Sequence, residues 1–330
     1  MATTTVNSQL TFRELSNRLA PGDKDIAEIT EVMEEENEML LDIPWFQCNQ
    51  VLSEKFPRRT ALPQGTQRRA YQGVPTTTST TQVVVEPVSL LEALSEIDED
   101  IVNNAGDLAE RMAFRRTEDI AHVSGLSQQL ADLFLEGVQA GSPESFDGLQ
   151  IRLNDLGQTN VIDGGNSGGT SIYAVDWGRR TAYGIYPAAA AKRGTLGLQI
   201  IDKDVVPVLD GSDDTFHVYR TQFKWWMGLC IRDELRTCRY ANINPTIGGT
   251  NSFNENLLIE LVERCKMRPA TTRIYCNVEL RTQMRIRLKD KTNVNFGKEE
   301  GLGGVSILTF MDIPVRRLDA IKTNESTVTT

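Results

Sequence analysis

Residues 50–86 constrain this chain more than any other stretch. They carry Pro57, Pro63, Gly65, Gly73 and Pro75, a threonine-rich run over 76–81, and then Val83, Val84 and Val85. Proline removes a helical N–H donor and β-branched side chains favour extended backbone, so helix is disfavoured throughout. A structureless loop of this length is uncommon inside a compact domain. The pattern predicts a β-hairpin excursion with two extended arms and a turn near Pro63-Gln64-Gly65, reaching beyond its own body toward another subunit.

Helical signals flank the excursion. Before it, Thr11-Phe12-Arg13-Glu14 has capping-box spacing, and Ile26, Ile29, Val32, Met33 and Leu40 recur near helical period until Pro44. After it, Ser89-Leu90-Leu91-Glu92 reads as a second capping box, followed by Leu94, Ile97 and Ile101. Asp107 with Glu110 restarts the pattern after Gly106, and apolar positions continue to Gly141. A helix of roughly 30 residues would measure about 45 Å, long for a globular protein, with Gly125 as a place to bend.

From Ser142 the chain reads as compact α+β. Strands are expected over 170–177, 181–187, 216–224, 227–232, 273–278, 304–311 and 313–321. Helices are expected after Ser252-Phe253-Asn254-Glu255, with Leu257, Leu258, Leu261, Val262 and Cys265 facing inward, and over 279–289. The Thr/Asn/Ser-rich tail after Lys322 is expected to fray.

Chemistry is sparse. The chain has 330 residues, 40% hydrophobic, enough for one large or two modest domains. Its two histidines, His122 and His217, fall in a helical and a strand-like run, neither beside a nucleophile elbow. The glycines of 164–169 and 301–304 run into strands, not helix N-termini, and read as turns. Cys48, Cys230, Cys238, Cys265 and Cys276 form no C-x-x-C pair and are expected as free, mostly buried thiols. No cofactor and no metal are expected. Trp225-Trp226 would suit sugar stacking in a carbohydrate-active enzyme, but they lie in an apolar strand-like run. The N-terminus has neither basic nor apolar signal regions, and no apolar run is long enough to cross a bilayer, so a cytoplasm-like compartment is expected.

The charge pattern says more. Glu34, Glu35, Glu36 and Glu38 crowd the first segment with Glu28, Glu31 and Asp42, whereas Arg58, Arg59, Arg68 and Arg69 with Lys55 mark the excursion. Two solvated faces would explain this. So would an acidic arm of one subunit meeting the basic loop of another, which would steer docking and fix register. A second basic run, Arg281, Arg285, Arg287, Lys289 and Lys291, is expected as an exposed helix face. The net charge of −10 suits a protein that encloses nucleic acid rather than grips it.

The order of parts, with Ser145-Phe146-Asp147-Gly148-Leu149, residues 171–178, Gly184-Ile185-Tyr186-Pro187 and residues 219–242, resembles the Hong Kong 97-like capsid fold. The chain is similar to major capsid proteins of short-tailed, double-stranded-DNA phages, in particular those of a Bordetella phage group and the epsilon-fifteen group. The resemblance implies an N-terminal arm (1–49), an extended loop (50–86), a peripheral domain with its spine helix (87–148), a mostly axial domain (149–311), and a return to the peripheral domain with the tail (312–330). It implies self-assembly as pentamers and hexamers into an icosahedral head assembled in the bacterial cytoplasm, without a membrane. Its partners would be itself, portal and scaffolding proteins and a decoration protein, around DNA bound without sequence specificity. No Lys–Asn cross-link is carried over. An encapsulin-like shell is the alternative that shares these parts.

Overall fold

The computed structural model describes residues 37–140, 145–191, 197–209, 212–289, 296–300 and 306–330. The first capping box, the acidic residues before Asn37, the 301–304 glycines and Lys291 therefore lie outside the described residues.

In chain order the elements are α1 (Met39–Asp42), β1 (Trp45–Gln47), β2 (Ser53–Ala61), β3 (Thr80–Pro87), β4 (Ser89–Asp98), α2 (Glu99–Asn104) and α3 (Leu108–Glu136). Then come α4 (Leu149–Arg152), β5 (Val161–Asp163), β6 (Thr170–Asp176), β7 (Ala182–Tyr186), α5 (Ala188–Ala191), β8 (Leu198–Leu209) and β9 (Thr215–Ile231). After a 3₁₀ turn (Glu234–Arg236) follow β10 (Thr237–Ile243), α6 (Glu255–Arg264), β11 (Thr272–Cys276), α7 (Val278–Arg287), β12 (Phe296–Glu300), β13 (Ser306–Phe310) and β14 (Ile313–Arg317).

Three sheets organise them. One runs β12-β13-β14-β11-β6-β10-β5; a second runs β1-β7-β9-β4 with β8 also on β9; the third is the hairpin β2-β3. Every residue of β6 is buried. Because side chains alternate faces along a strand, its residues are dealt to two cores. Tyr173 and Val175, with Tyr275 of β11, join one core against Leu130, Phe134 and Leu135 of α3. Ile172 and Ala174, with Ile274 and Cys276, join the other against Leu258, Leu261 and Val262 of α6 and Leu280 and Met284 of α7.

The long helix forms as its sequence dictates. Asp107 caps it, and the Glu110 carboxylate accepts back from the Asp107 N–H at 2.7 Å, the reciprocal box. Its 29 residues run through Gly125 without interruption. Phe134 is wholly buried, edge-on to Trp45 (6.0 Å) and Phe146 (5.3 Å).

Four expectations are corrected. Residues 89–98 are not helical but strand β4, paired antiparallel along β9 from Ser89↔Met227 to Asp98↔Val218. Ser89, Ser95 and Ile97 are buried, while Glu92 and Glu96 meet Lys224 (3.8 Å) and Arg220 (2.6 Å) across the ladder. The period is two; the cap spacing at Ser89 was coincidental. Second, the two strands expected over 216–232 are one 17-residue strand, β9. Third, Cys238 and Cys265 are disulfide-bonded, leaving Cys48, Cys230 and Cys276 free and buried. Burial pushes the Cys230 thiol up to about 11 and that of Cys276 to about 12.

Fourth, the C-terminal tail does not fray. Val328 is buried and its N–H donates to Asn242, whose amide donates back to the Val328 carbonyl. Glu325 forms a bridge with Gly169 and an ion pair at 2.9 Å with Arg239, which is itself 1% exposed and also donates to Ser171 (3.0 Å) and the Leu153 carbonyl (3.1 Å). The tail supplies the carboxylate that lets β10 bury an arginine.

Two outcomes follow for chemical denaturation. Phe134→Ala should lower the unfolding free energy by about 3–5 kcal/mol through lost burial and a residual cavity. Glu325→Ala should cost a similar ~3–5 kcal/mol, because it strands the Arg239 charge in the interior.

Candidate assembly interface

The β2-β3 hairpin is the projecting element expected of the excursion. Its ladder runs from Ser53↔Pro87 to Ala61↔Thr80, so the reversal is an 18-residue tip over 62–79 and not a tight turn at Pro63-Gln64-Gly65. Within the tip a β-turn centred on Ala70 and Tyr71 is closed by the Gln72 N–H donating to the Arg69 carbonyl at 3.2 Å, with Tyr71 at φ 67°.

The base of the hairpin is fixed by an arrangement the sequence did not announce. Glu54 and Glu86 face each other across the ladder, and both are buried (5% and 3% exposed). Two like charges directly opposite would repel. Each is met by an arginine from the body. Arg152 of α4 grips Glu86 through two hydrogen bonds, Nη1 at 2.9 Å and Nη2 at 2.6 Å. Arg232 donates to Glu54 at 2.9 Å, Tyr183 donates to the same oxygen at 3.2 Å, and the Asn49 N–H donates to the other carboxylate oxygen at 2.7 Å. Burial drives the Tyr183 hydroxyl well above its ordinary range, which keeps it a donor. Phe56 seats in a small core with Cys48, Tyr183, Ile185 and Cys230, and the Arg232 guanidinium lies over its ring. The forked grip of Arg152 on Glu86, and Arg232 bonded at once to Glu54 and the Tyr183 hydroxyl, set the angle at which the hairpin leaves the body.

Beyond this clamp the hairpin is solvent-facing. Every residue over 59–83 is exposed, including Leu62, Tyr71, Val74 and Val83. An isolated two-stranded ribbon is marginal in water, so this part has little stability of its own.

The eight residues singled out by charge separate into three groups. Glu34, Glu35 and Glu36 lie outside the described residues. Glu38 and Arg58 are engaged within their own chain. Glu38 pairs with Arg316 at 3.1 Å and sits 3.8 Å from Arg281, while Arg58 pairs with Glu234 and donates to the carbonyls of Ile231 (2.6 Å) and Arg232 (3.1 Å). Arg59, Arg68 and Arg69 are exposed and reach no carboxylate among the described residues; Arg68 donates only to the nearby Gln72 carbonyl. Arg281, expected on an open helix face, is turned inward to Glu38. The residues sequence reasoning missed are Glu54, Glu86, Arg152 and Arg232. Their only trace was two acids at mirrored positions in an otherwise basic excursion.

Trp225 packs against the central core, and Trp226 stands opposite Leu90 in the ladder. Cavities of about 410–520 Å³ are lined by side chains of α3 and β4, of the loop before α6 with α7, and of α4 with the 231–237 segment; neither tryptophan lines them. His122 stacks on Phe223 at 5.6 Å. Among the described residues no three His, Cys, Asp or Glu side chains converge as a metal site, and no helix is long and apolar enough to cross a membrane.

Comparison with known proteins places this geometry. The family model for the major capsid protein GP7 matches residues 21–329. The capsid of bacteriophage Epsilon15 superposes with a TM-score of 0.75 at 26% identity, covering 100% of both chains. The bacteriophage JBD30 capsid shares the fold, with a TM-score of 0.53 at 9% identity over 94% of this chain and 99% of that one. No curated protein sequence matches.

Arg152→Ala should free the hairpin base by leaving Glu86 buried and unpaired. Amide hydrogen exchange over 53–61 and 80–87 should accelerate at least tenfold, while exchange in β6 stays unchanged. Equal acceleration in both would mean that the clamp serves the whole fold and not the hairpin.

Proposed function

Since this chain belongs to the major capsid protein GP7 family, a family of shell-forming structural proteins, we propose that it closes into an icosahedral phage head by docking its hairpin onto neighbouring subunits. The observation that carries this reading is the clamped hairpin: a segment held rigidly at its root and bare along its outer half has its partner on another chain. Arg59, Arg68 and Arg69, which reach no carboxylate among the described residues, are the cations that meet a neighbour's carboxylates. Leu62, Tyr71 and Val74 supply apolar contact beside them.

The parts divide by role in the same reading. Residues 50–86 are the intersubunit loop, 87–148 with 312–330 the peripheral domain, and 149–311 the mostly axial domain of pentamers and hexamers. The packing of Leu318, Ile321 and Val328 in the core with Leu130 and Phe134 supports the return of the C-terminus to the peripheral domain. The shared sheet blurs the boundary at 149, because β6 and β11 feed both cores. The role is structural rather than enzymatic. Portal and scaffolding proteins, a decoration protein and assembly in the host cytoplasm complete the reading, with double-stranded DNA enclosed by a chain of net charge −10 and not bound by sequence. Many modest contacts per subunit make loss of any one subunit rare once the shell closes.

Negative-stain electron microscopy with size-exclusion chromatography tests this, using the chain co-expressed with the phage's other head proteins. Closed shells, or rings of five and six, are expected. Arg59→Glu with Arg68→Glu and Arg69→Glu should abolish them while leaving the circular dichroism of the subunit unchanged. A monomer under every condition, or shells indifferent to the triple reversal, would overturn the docking role of the hairpin.

A further inference from the structure

Among the described residues, cations outnumber carboxylates beside α7. Where the described chain begins, Asn37 bridges to Leu318, and Glu38 and Asp42 lie among three arginines. Glu38 meets Arg316 (3.1 Å) and Arg281 (3.8 Å), and Asp42 meets Arg316 (3.5 Å) and Arg273 (3.5 Å). Three cations thus share two carboxylates. Arg285 follows Arg281 by four residues and Lys289 follows Arg285 by four, so the three lie along one side of α7 and its final turn, at roughly 6 Å intervals. The opposite side of α7 is buried through Leu280 and Met284. Arg285 and Lys289 are exposed, and neither pairs with a carboxylate among the described residues.

The sequence immediately before Asn37 is Glu34, Glu35 and Glu36. Two to four residues from Glu38 can reach at most roughly 7–14 Å. That span covers the distance from Arg281 to Arg285 and Lys289. We propose that the cationic stripe Arg281, Arg285 and Lys289 on α7 is the docking surface for Glu34, Glu35 and Glu36 of the same chain. This reassigns the partner of the acidic run from a neighbour's hairpin to its own body. Charge complementarity and chain continuity both select this occupant: Glu38 already ties the segment to one end of the stripe, and anions arriving at the C-terminal end of α7 find cations that outweigh the unfavourable helix dipole. The run then fixes where the N-terminal segment leaves the body, as the arginine clamp does for the hairpin.

Carbodiimide coupling, which joins a carboxylate directly to an amine, tests the contact without disrupting it. Assembled full-length protein made from mixed light- and heavy-isotope chains is treated and analysed by mass spectrometry, alongside Arg285→Lys, which offers a second amine one turn nearer. Cross-links from residues 34–36 to position 289, and to position 285 in the variant, should join chains of the same isotope and fall severalfold in 0.5 M salt as the charges are screened. Links between light and heavy chains, coupling of the acidic run to Lys55 of the hairpin, or no coupling at position 289 while other exposed lysines react would each overturn the proposal.

Discussion

Burial of β6 on both faces is the constraint on which the rest of the molecule depends. A strand with no solvent side must satisfy every backbone group in its ladders and find apolar cover above and below. β10 and β11 supply the ladders, α3 covers one face, and α6 with α7 cover the other. The two cores are therefore mechanically joined by a single sheet, and displacement of one transmits to the other through side chains that alternate along the same strand. For a subunit that must fit the same lattice many times, a body without an internal hinge at this point keeps its outer contacts in register.

Arginine pairs do at the periphery what apolar burial does at the centre. Arg152 and Arg232 hold two opposed buried carboxylates at the root of the hairpin, and Arg239 holds the tail through Glu325. Charge-assisted hydrogen bonds, forked at Arg152 and single at Arg232 and Arg239, define direction as well as distance, so they suit the points where a segment must leave or close at one angle. Such pairs contribute little net stability over an apolar equivalent, because desolvation offsets the attraction. Their value here is orientation.

The elements that could be read from the sequence share one property: their determinants are local. The Asp107–Glu110 box starts α3, Asn254 caps α6, and prolines with β-branched residues exclude helix from the excursion. The misread elements have determinants far away in the chain. Ser89-Leu90-Leu91-Glu92 offers a good helix start, yet β9 lies more than a hundred residues on and captures it as a strand. The tail looks like solvent-facing composition, yet Arg239 and Asn242 give its polar atoms partners. Charge reading grouped the hairpin's cations together, whereas the fold separates Arg58, spent on Glu234, from Arg59, which meets no carboxylate among the described residues.

By itself, then, the sequence determined the α+β class, the long capped helix, a hairpin excursion and the scarcity of catalytic groupings, because periodicity, capping and turn chemistry act over a few residues. Only the tertiary structure decided that 89–98 is strand, that Glu54 and Glu86 are buried and gripped, that Cys238 meets Cys265, and that the tail closes over Arg239. Each of these depends on which distant segment arrives alongside. A hydrogen-bond donor, a counter-charge or a second sulfur supplied from across the fold leaves no periodic mark in the residues it satisfies.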